Sequence, residues 1–558
     1  MTKKIYPYLL LFFFISLYIL PLGARKLVVP DETRYAEIPR EMIESNDWVV
    51  PHFNGLRYFE KPVLGYWVHA CSLVLFGENN FAIRLPSALS VGLSALLIYM
   101  LIFKVLKKRE KEKDQISIVA AFIFLSSFEV FTIANSPVLD NLFSFFLTAS
   151  IVSFYFASEA SKQSGKEKWF LILSGIACGL AFLTKGFLAF AIPVIVLAPY
   201  LIWQKRYIDL FRMTWLPILS AIIVALPWSI LIHLREPDYW RFFFWHEHIR
   251  RFLAHNAQHK RFFLYFFFSS PGIFLPWFFL IPSAIIGLKE KLKPGNSEAR
   301  LVRFSICWFV FPFLFFSFSH GKLLTYVLPC FPPFAILMAF GLLQIATNPK
   351  QNKFFQRGLI VNCILFIIFL VVFSVLQIIG FKGAPLYSQT WKTVMMINSL
   401  IFIILFCYWS FQTQSRIKKI FLYGFSPFLL FLCLNFLLPD FLVEKKMPGR
   451  LLENYARTIP KDAFVVTDQE TTGGVCWYLK RNDIYILGES GEHHYGLTYA
   501  DSKSQSLCIE SLTSLIKNNP GKVIIICKTN KVQHWIKFFP GPVFQDDSGP
   551  DGYALMKY

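Results

Sequence analysis

The fold class predicted by this sequence is a mainly α-helical, polytopic membrane protein carrying a small α/β domain at its C-terminal end. Three observations predict it. Of the 558 residues, 55% are hydrophobic and only 16% charged, where an average soluble domain has roughly a quarter charged. About thirteen apolar stretches have the roughly 17 to 25 residues needed to cross a hydrocarbon core. Past about Phe441 the composition turns to that of a soluble domain.

The spans are expected near 5–23, 82–103, 116–134, 138–158, 169–184, 186–202, 213–232, 265–287, 301–318, 323–346, 358–380, 391–411 and 420–440. The first follows Lys3 and Lys4, and the small residues near Pro21-Leu22-Gly23-Ala24 resemble a signal-peptide end. Twelve further spans argue for a retained helix instead. Residues 1–440 are therefore assigned to the membrane domain and 441–558 to the α/β domain. In the latter, Ala463 to Asp468, Ile484 to Leu487 and Val523 to Cys527 read as strands and Leu507 to Asn518 as a helix. No Gly-rich phosphate loop occurs there, so no nucleotide cofactor is expected.

Lys and Arg are held on the cytoplasmic side in short loops. With a cytoplasmic N-terminus the inside loops collect Lys104 to Lys113, Lys162 to Lys168, Lys205 to Arg212, Lys289 to Lys293, Lys350 to Arg357 and Arg416 to Lys419. The alternation puts the C-terminal domain outside. The net charge of +21 is then explained by loops facing anionic lipid, and nucleic acid is not an expected partner. The ten cysteines are scattered with no Cys-x-x-Cys, which argues against thiolate zinc. Cys476, Cys508 and Cys527 leave a disulfide open in the external domain.

Two external loops concentrate ionisable residues. Loop 24–81 opens on Asp31-Glu32, continues through Arg34, Glu37, Arg40, Glu41 and Asp47, and closes on Phe59-Glu60-Lys61-Pro62. Tyr35, Ile38, Met42 and Ile43 recur at helical spacing, so an amphipathic helix capped by Asp31 and lying along the interface is expected. Val63 to Phe76 is too short to span comfortably and reads as a second interfacial segment. Loop 233–264 is basic beyond what topology requires, with Arg235, Arg241, Arg250, Arg251, Lys260 and Arg261 among aromatics. An anionic ligand or a headgroup-binding helix explains that excess equally well on charge alone.

The Asp31-Glu32-x-Arg34-Tyr35-Ala36-Glu37, Asp47-Trp48-x-x-Pro51, Gly55 and Tyr58-Phe59-Glu60-Lys61-Pro62 segments resemble GT-C fold, polyprenyl-phosphate-dependent glycosyltransferases. More closely they are similar to the 4-amino-4-deoxy-L-arabinose lipid A transferases, which are related to protein O-mannosyltransferases. The resemblance extends to Leu139-Asp140-Asn141, Glu247-His248-x-x-Arg251-Phe252 with His259, and Gly321-Lys322-Leu323-x-Thr325-Tyr326-x-Leu328-Pro329. It implies transfer of an aminosugar from undecaprenyl phosphate to a lipid A phosphate at the periplasmic face, and resistance to polymyxin and other cationic peptides.

That resemblance and the chemistry of the residues assign expected roles. A lipid-phosphate donor brings an anionic leaving group to the interface, and cations there stabilise it as the glycosidic bond breaks. Lys61 is the first candidate, with Arg251, Lys322, Tyr326 and Arg34. Asp31, Glu32 and Asp140 are the acidic candidates for the reacting pocket; a lipid A phosphate is already ionised and needs little deprotonation. Glu60 with His246 or His248 would suit a divalent ion, zinc first; His255 and His259 are further partners. The expected partners are the undecaprenyl-phosphate sugar, lipid A and membrane lipids, with the protein a monomer. The enzyme alternative is a GT-C transferase of galactosamine, mannose or glucose to lipid A, protein or cell-wall polymer. The non-enzyme alternative is a flippase or transporter of the lipid-linked sugar. Transporters usually carry repeats and midplane ionisable sites; here there is no convincing repeat and the polar clusters lie at span ends.

Overall fold

The computed structural model describes residues 5–107, 109–250, 260–293, 295–345, 352–381 and 383–558. It divides into two compact units. The first comprises residues 1–21, 87–380 and 390–434, and the second residues 22–86, 381–389 and 435–558.

Among the described residues ten helices are long and apolar enough to cross a membrane, and up to twelve if two bent pairs each count as one span. Each expected stretch has a helical counterpart. The stretch at 186–202 is the shorter Leu188–Trp203 helix, and those at 116–134 and 265–287 are the bent pairs. Helices Glu110–Leu125 and Phe128–Ala134 meet at 63°. At that break Ser126 and Ser127 donate their hydroxyls to the Phe122 and Ile123 carbonyls, at 2.7 and 2.8 Å, the back-bonding that bends helices. Helices Tyr265–Ile273 and Trp277–Lys291 meet at 101°, beside Pro276, which has no N–H to continue a ladder.

Within the first unit, small residues let helix backbones touch. A Cβ on Gly287 would lie 2.1 Å from the Gly341 carbonyl oxygen, and one on Gly175 2.2 Å from that of Pro217. Those contacts join helix Ile281–Lys291 to Phe331–Ile345, and Gly165–Lys185 to Trp215–Arg235.

The second unit is built on a six-stranded sheet. Its strands are β3 (Phe464–Thr467), β4 (Tyr485–Leu487), β5 (Ser506–Leu507), β6 (Val523–Lys528), β7 (Phe544–Asp547) and β8 (Tyr553–Lys557). The order is β5-β4-β3-β6-β8-β7; β3 to β6 are parallel, and β8 runs antiparallel to both β6 and β7. Ile524 and Ile526 face one core with Val475 and Leu452, while Val523, Ile525 and Cys527 face the other with Leu512 and Ile516. Both faces are thus covered, which is why β6 reads as an unbroken apolar run. The expected strands and the helix, here Ile509–Asn518, occur close to their predicted places. The cysteines are free, Cys476 and Cys527 being buried and Cys508 exposed.

Residues 24–81, expected as an external loop, depart from their expected form. They belong to the same compact unit as the sheet. Helix Asp31–Ser45 does not lie on a surface: residues Glu32 to Met42 are all buried, packed against helices Leu64–Phe76 and Thr472–Leu479. Asp31 does not cap it; Pro30 holds the cap position and no side-chain cap bond forms. The tip between β1 (His52–Phe53) and β2 (Leu56–Arg57) is Asn54-Gly55, both at positive φ (59° and 70°), as a two-residue hairpin requires. Asn54 exchanges hydrogen bonds with the Ile484 backbone at 2.7 and 2.9 Å, tying the hairpin to the sheet domain.

Candidate functional site

Helix Asp31–Ser45 carries seven ionisable residues before Ser45, and burial forces most of them into internal pairs, because an unpaired buried charge is costly. Glu32 is gripped by Arg25 at 2.6 and 2.7 Å, by Arg84 at 2.8 Å and by the Val28 N–H at 3.0 Å. Burial pushes its carboxyl up, but Arg25 and Arg84 outweigh that and hold it at about 2. Glu32, expected among the catalytic carboxylates, therefore has its acceptor positions filled and braces the start of the helix. Arg40 binds Glu37 at 2.5 and 2.9 Å and Glu44 at 2.7 Å. Glu41 accepts from the Asn54 and Gly55 N–H groups at 2.6 and 2.8 Å. Burial, then the Glu37 charge, pushes the Glu41 carboxyl well above the usual range.

What remains toward solvent is a compact ionic cluster. Asp31, its side chain 64% exposed, accepts from Arg34 at 2.9 Å. The buried Arg34 guanidinium also pairs with Glu492 and sits 4.8 Å over the Tyr35 ring. Tyr58 is buried within electrostatic reach of Arg34, Glu492 and Glu60, and burial raises its phenol well above its ordinary value. Lys61 donates to the Glu60 carbonyl at 2.8 Å. Burial raises the Glu492 carboxyl, but Arg34, then His493 and Lys61, reverse the effect and leave it lowered. His493 stacks 4.5 Å from the Phe53 ring. It is buried with neither ring nitrogen hydrogen-bonded among the described residues, and desolvation lowers it to about 4, so it is a neutral imidazole at physiological pH. The structure thus brings Asp31, Arg34, Glu60 and Lys61 together with Tyr58, Glu492 and His493.

Glu492 and His493 come from the C-terminal domain, on the short 3-10 turn Gly491–His493. Sequence reasoning missed them. The Gly491-Glu492-His493-His494 run has no periodicity, and nothing local signals that it meets a helix more than four hundred residues earlier.

The first unit holds other expected residues. Asp140 opens helix Asp140–Glu159 and accepts from Lys185, the last residue of helix Gly165–Lys185, at 2.7 Å. Beside it Asn141 is buried with both amide atoms unpartnered. Lys322 is buried and donates to the Arg261 carbonyl at 3.1 Å and to that of Ser319; burial lowers its ammonium. Tyr326 lies in the 3-10 segment Leu324–Cys330, 6.0 Å from the Phe316 ring. His246, on the π-helix Arg241–Arg250, is exposed and stacks on Phe242 at 5.5 Å. His248 is on the same helix, and its side chain is outside the described residues, as are Arg251, His255 and His259.

Among the described residues no three His, Cys, Asp or Glu side chains group so as to hold a metal ion. Glu60 and His246 do not form such a group, and the other candidate histidines lie outside the described side chains, so the described donors alone do not make a metal site.

Apolar spans in the first unit and a cluster of lysine, arginine and carboxylates in the second are the features expected of a membrane glycosyltransferase that uses a lipid-phosphate donor. Two family models match the chain. Residues 5–243 match the dolichyl-phosphate-mannose-protein mannosyltransferases, and residues 443–555 match the C-terminal domain of the arabinosyl transferase ArnT. Curated relatives match nearly end to end. The undecaprenyl phosphate-alpha-4-amino-4-deoxy-L-arabinose arabinosyl transferase of Shewanella sediminis is 40% identical, over 92% of each chain. The Aeromonas hydrophila protein of the same name is 38% identical, over 95% of this chain and 94% of its own. The chain belongs to the undecaprenyl phosphate-aminoarabinose arabinosyl transferase (ArnT) family. Its fold is also that of the crystal structure of ArnT from Cupriavidus metallidurans bound to undecaprenyl phosphate. That match has a TM-score of 0.84 at 21% identity, over 100% of this chain and 98% of the other.

Proposed function

We propose that this glycosyltransferase moves 4-amino-4-deoxy-L-arabinose from undecaprenyl phosphate to a phosphate of lipid A, on the periplasmic side of the inner membrane. The observation that carries the reading is the end-to-end similarity to the arabinosyl transferases, together with a cationic and acidic cluster suited to a sugar bearing both a phosphate and an amine.

In the reaction an acceptor phosphate oxygen attacks the anomeric carbon as the bond from that carbon to the donor phosphate breaks, with inversion. The acceptor oxygen is already ionised, so no strong base is required. Lys61 stabilises charge on the leaving phosphate, where a fixed cation acts most strongly in the transition state. Arg34, held by Asp31 and Glu492, adds a second positive group fixed in place. Asp31 and Glu60 carry the opposite charge and receive the sugar's ammonium. In the first unit, Lys185, oriented by Asp140, and Lys322 are the cations able to bind a phosphate.

Mass spectrometry of lipid A tests the reading. Cells expressing the protein in a donor-competent host gain a pentosamine increment, and Lys61→Ala cuts it by about a hundredfold, the scale of losing one preorganised charge contact. A hexosamine or neutral-sugar increment would reassign the donor, and no increment would reject lipid A as acceptor. Metal analysis of the purified protein tests Glu60 separately: stoichiometric zinc lost in Glu60→Gln makes it a ligand, and full activity after EDTA treatment makes it an electrostatic residue.

A further inference from the structure

The first unit has an open cavity of about 790 Å³ at the end of the bundle where the positively charged loops gather. Arg109, Lys111 and Arg416 line it, and none of their side chains has an ion-pair or hydrogen-bond partner among the described residues. The fourth cation, Lys291, is already neutralised by Glu298 at 2.6 Å, and Glu112 is the one carboxylate in the lining. Three unpaired cations against one carboxylate leave the cavity net positive. The inner wall is apolar, with Leu343 half-buried at its face and Ile116 and Phe340 packed behind it. A second cavity of about 720 Å³ abuts it, sharing Lys111, Gln115, Ser415 and Ile417; it adds Lys418, the carboxylates Glu110 and Asp114, and the apolar Phe103 and Phe421, so the net positive charge belongs to the first cavity.

Retention of positive loops on one side of a membrane needs basic residues but no cavity, and it does not require them to gather round an apolar wall. Here they do both. Two helices, Glu110–Leu125 and Arg416–Phe425, also start at this cavity without side-chain caps, so their positive dipole ends add to the field. A free phosphate would use the cations and leave the apolar wall wet; an amphiphile uses both. Basic pockets between spans are where phosphate headgroups of anionic lipids lodge, and guanidinium groups bind phosphate in paired hydrogen bonds.

We propose that this cavity binds the phosphate headgroup of an anionic membrane phospholipid, with Arg109, Lys111 and Arg416 on the phosphate and an acyl chain along Ile116, Phe340 and Leu343. None of these residues belongs to the ionic cluster assigned to sugar transfer, so the site is independent of that reading.

Native mass spectrometry of the full-length detergent-solubilised protein tests it with cardiolipin, phosphatidylglycerol, phosphatidylethanolamine, undecaprenyl phosphate and sodium phosphate as probes. The wild type is expected to retain cardiolipin or phosphatidylglycerol over phosphatidylethanolamine. The triple variant Arg109→Ala, Lys111→Ala, Arg416→Ala is expected to lose at least tenfold in occupancy while eluting as a monodisperse species. The variant Lys162→Ala, Lys166→Ala, Lys168→Ala removes the same charge from another loop and should keep the lipid. Equal retention by the first triple variant overturns the proposal, as does equal loss in the second, which would make net charge the cause. Displacement of the lipid by sodium phosphate alone, or preference for undecaprenyl phosphate at this site, overturns the phospholipid as its occupant.

Discussion

Glu32 shows most directly how a residue that looks catalytic becomes structural. Its folded pKa of about 2 lies below the ordinary 4.5, so its ion pairs contribute stability that is fully present above about pH 4.5. That contribution, about 3 kcal/mol from the shift, is lost as pH falls through 2. Glu32→Ala leaves Arg25 and Arg84 facing an empty site and should cost about 3 to 5 kcal/mol, read as a fall in thermal midpoint at pH 7. Glu41 has the opposite sign. Its folded pKa is raised, so its contribution is present at low pH and fades as pH rises through that raised value. Glu41→Gln, which is neutral throughout, should flatten the alkaline loss of stability; unchanged pH dependence would show that Glu41 is not the titrating group. In the cluster proposed to carry the reaction, Arg34 and Glu492 form a pair. Arg34→Gln and Glu492→Gln should each lower sugar transfer, and the double variant should lose less than their product, a coupling measured by a double-mutant cycle.

At the scale of elements, the hairpin and the glycine contacts carry the testable statements. Asn54 makes both hydrogen bonds that hold the β1–β2 tip to Ile484. Asn54→Ala should cost about 1 to 3 kcal/mol and open the Asn54-Gly55 turn to proteolysis before the rest of the protein. Gly287 lies against the Gly341 carbonyl, so Gly287→Leu must push the paired spans apart and should reduce the folded yield in detergent. Normal yield and thermal midpoint would show that the helices pack differently. The Asn-Gly dipeptide between Phe53 and Leu56 is a hairpin signal carried by the sequence itself, whereas the 3-10 turn bearing Glu492 and His493 has no such signal.

Across the whole molecule, the C-terminal sheet is not self-contained. Val29, from the segment before helix Asp31–Ser45, lies in the same core as Val475, Ile524 and Leu555, and helix Thr472–Leu479 packs on that helix. Residues 443–558 expressed alone should therefore lose the protection of Cys476, which is buried in the full protein. In a Cys71→Ser, Cys508→Ser background, with labelling read at Cys476 by peptide mass spectrometry, rapid labelling in the fragment and slow labelling in the full chain is the expected result; equal slow labelling would show that the domain folds by itself.

The sequence alone determined the membrane class, the places of the apolar stretches and the main strands. Those depend on local length and periodicity, which composition and spacing record directly. It also pointed to Asp31, Arg34, Glu60 and Lys61, because they are close together in one loop. Only the tertiary structure decided which ionisable groups are braces and which face outward, since that depends on burial and on partners distant in the chain. Arg84 and Asn435 reach Arg25 and Glu32, and Glu492 reaches Arg34, across separations that no local pattern encodes. The same physics turned an expected interfacial helix into a buried one: most of its charges are paired with each other, with Arg25 and Arg84, and with Glu492 of the C-terminal domain.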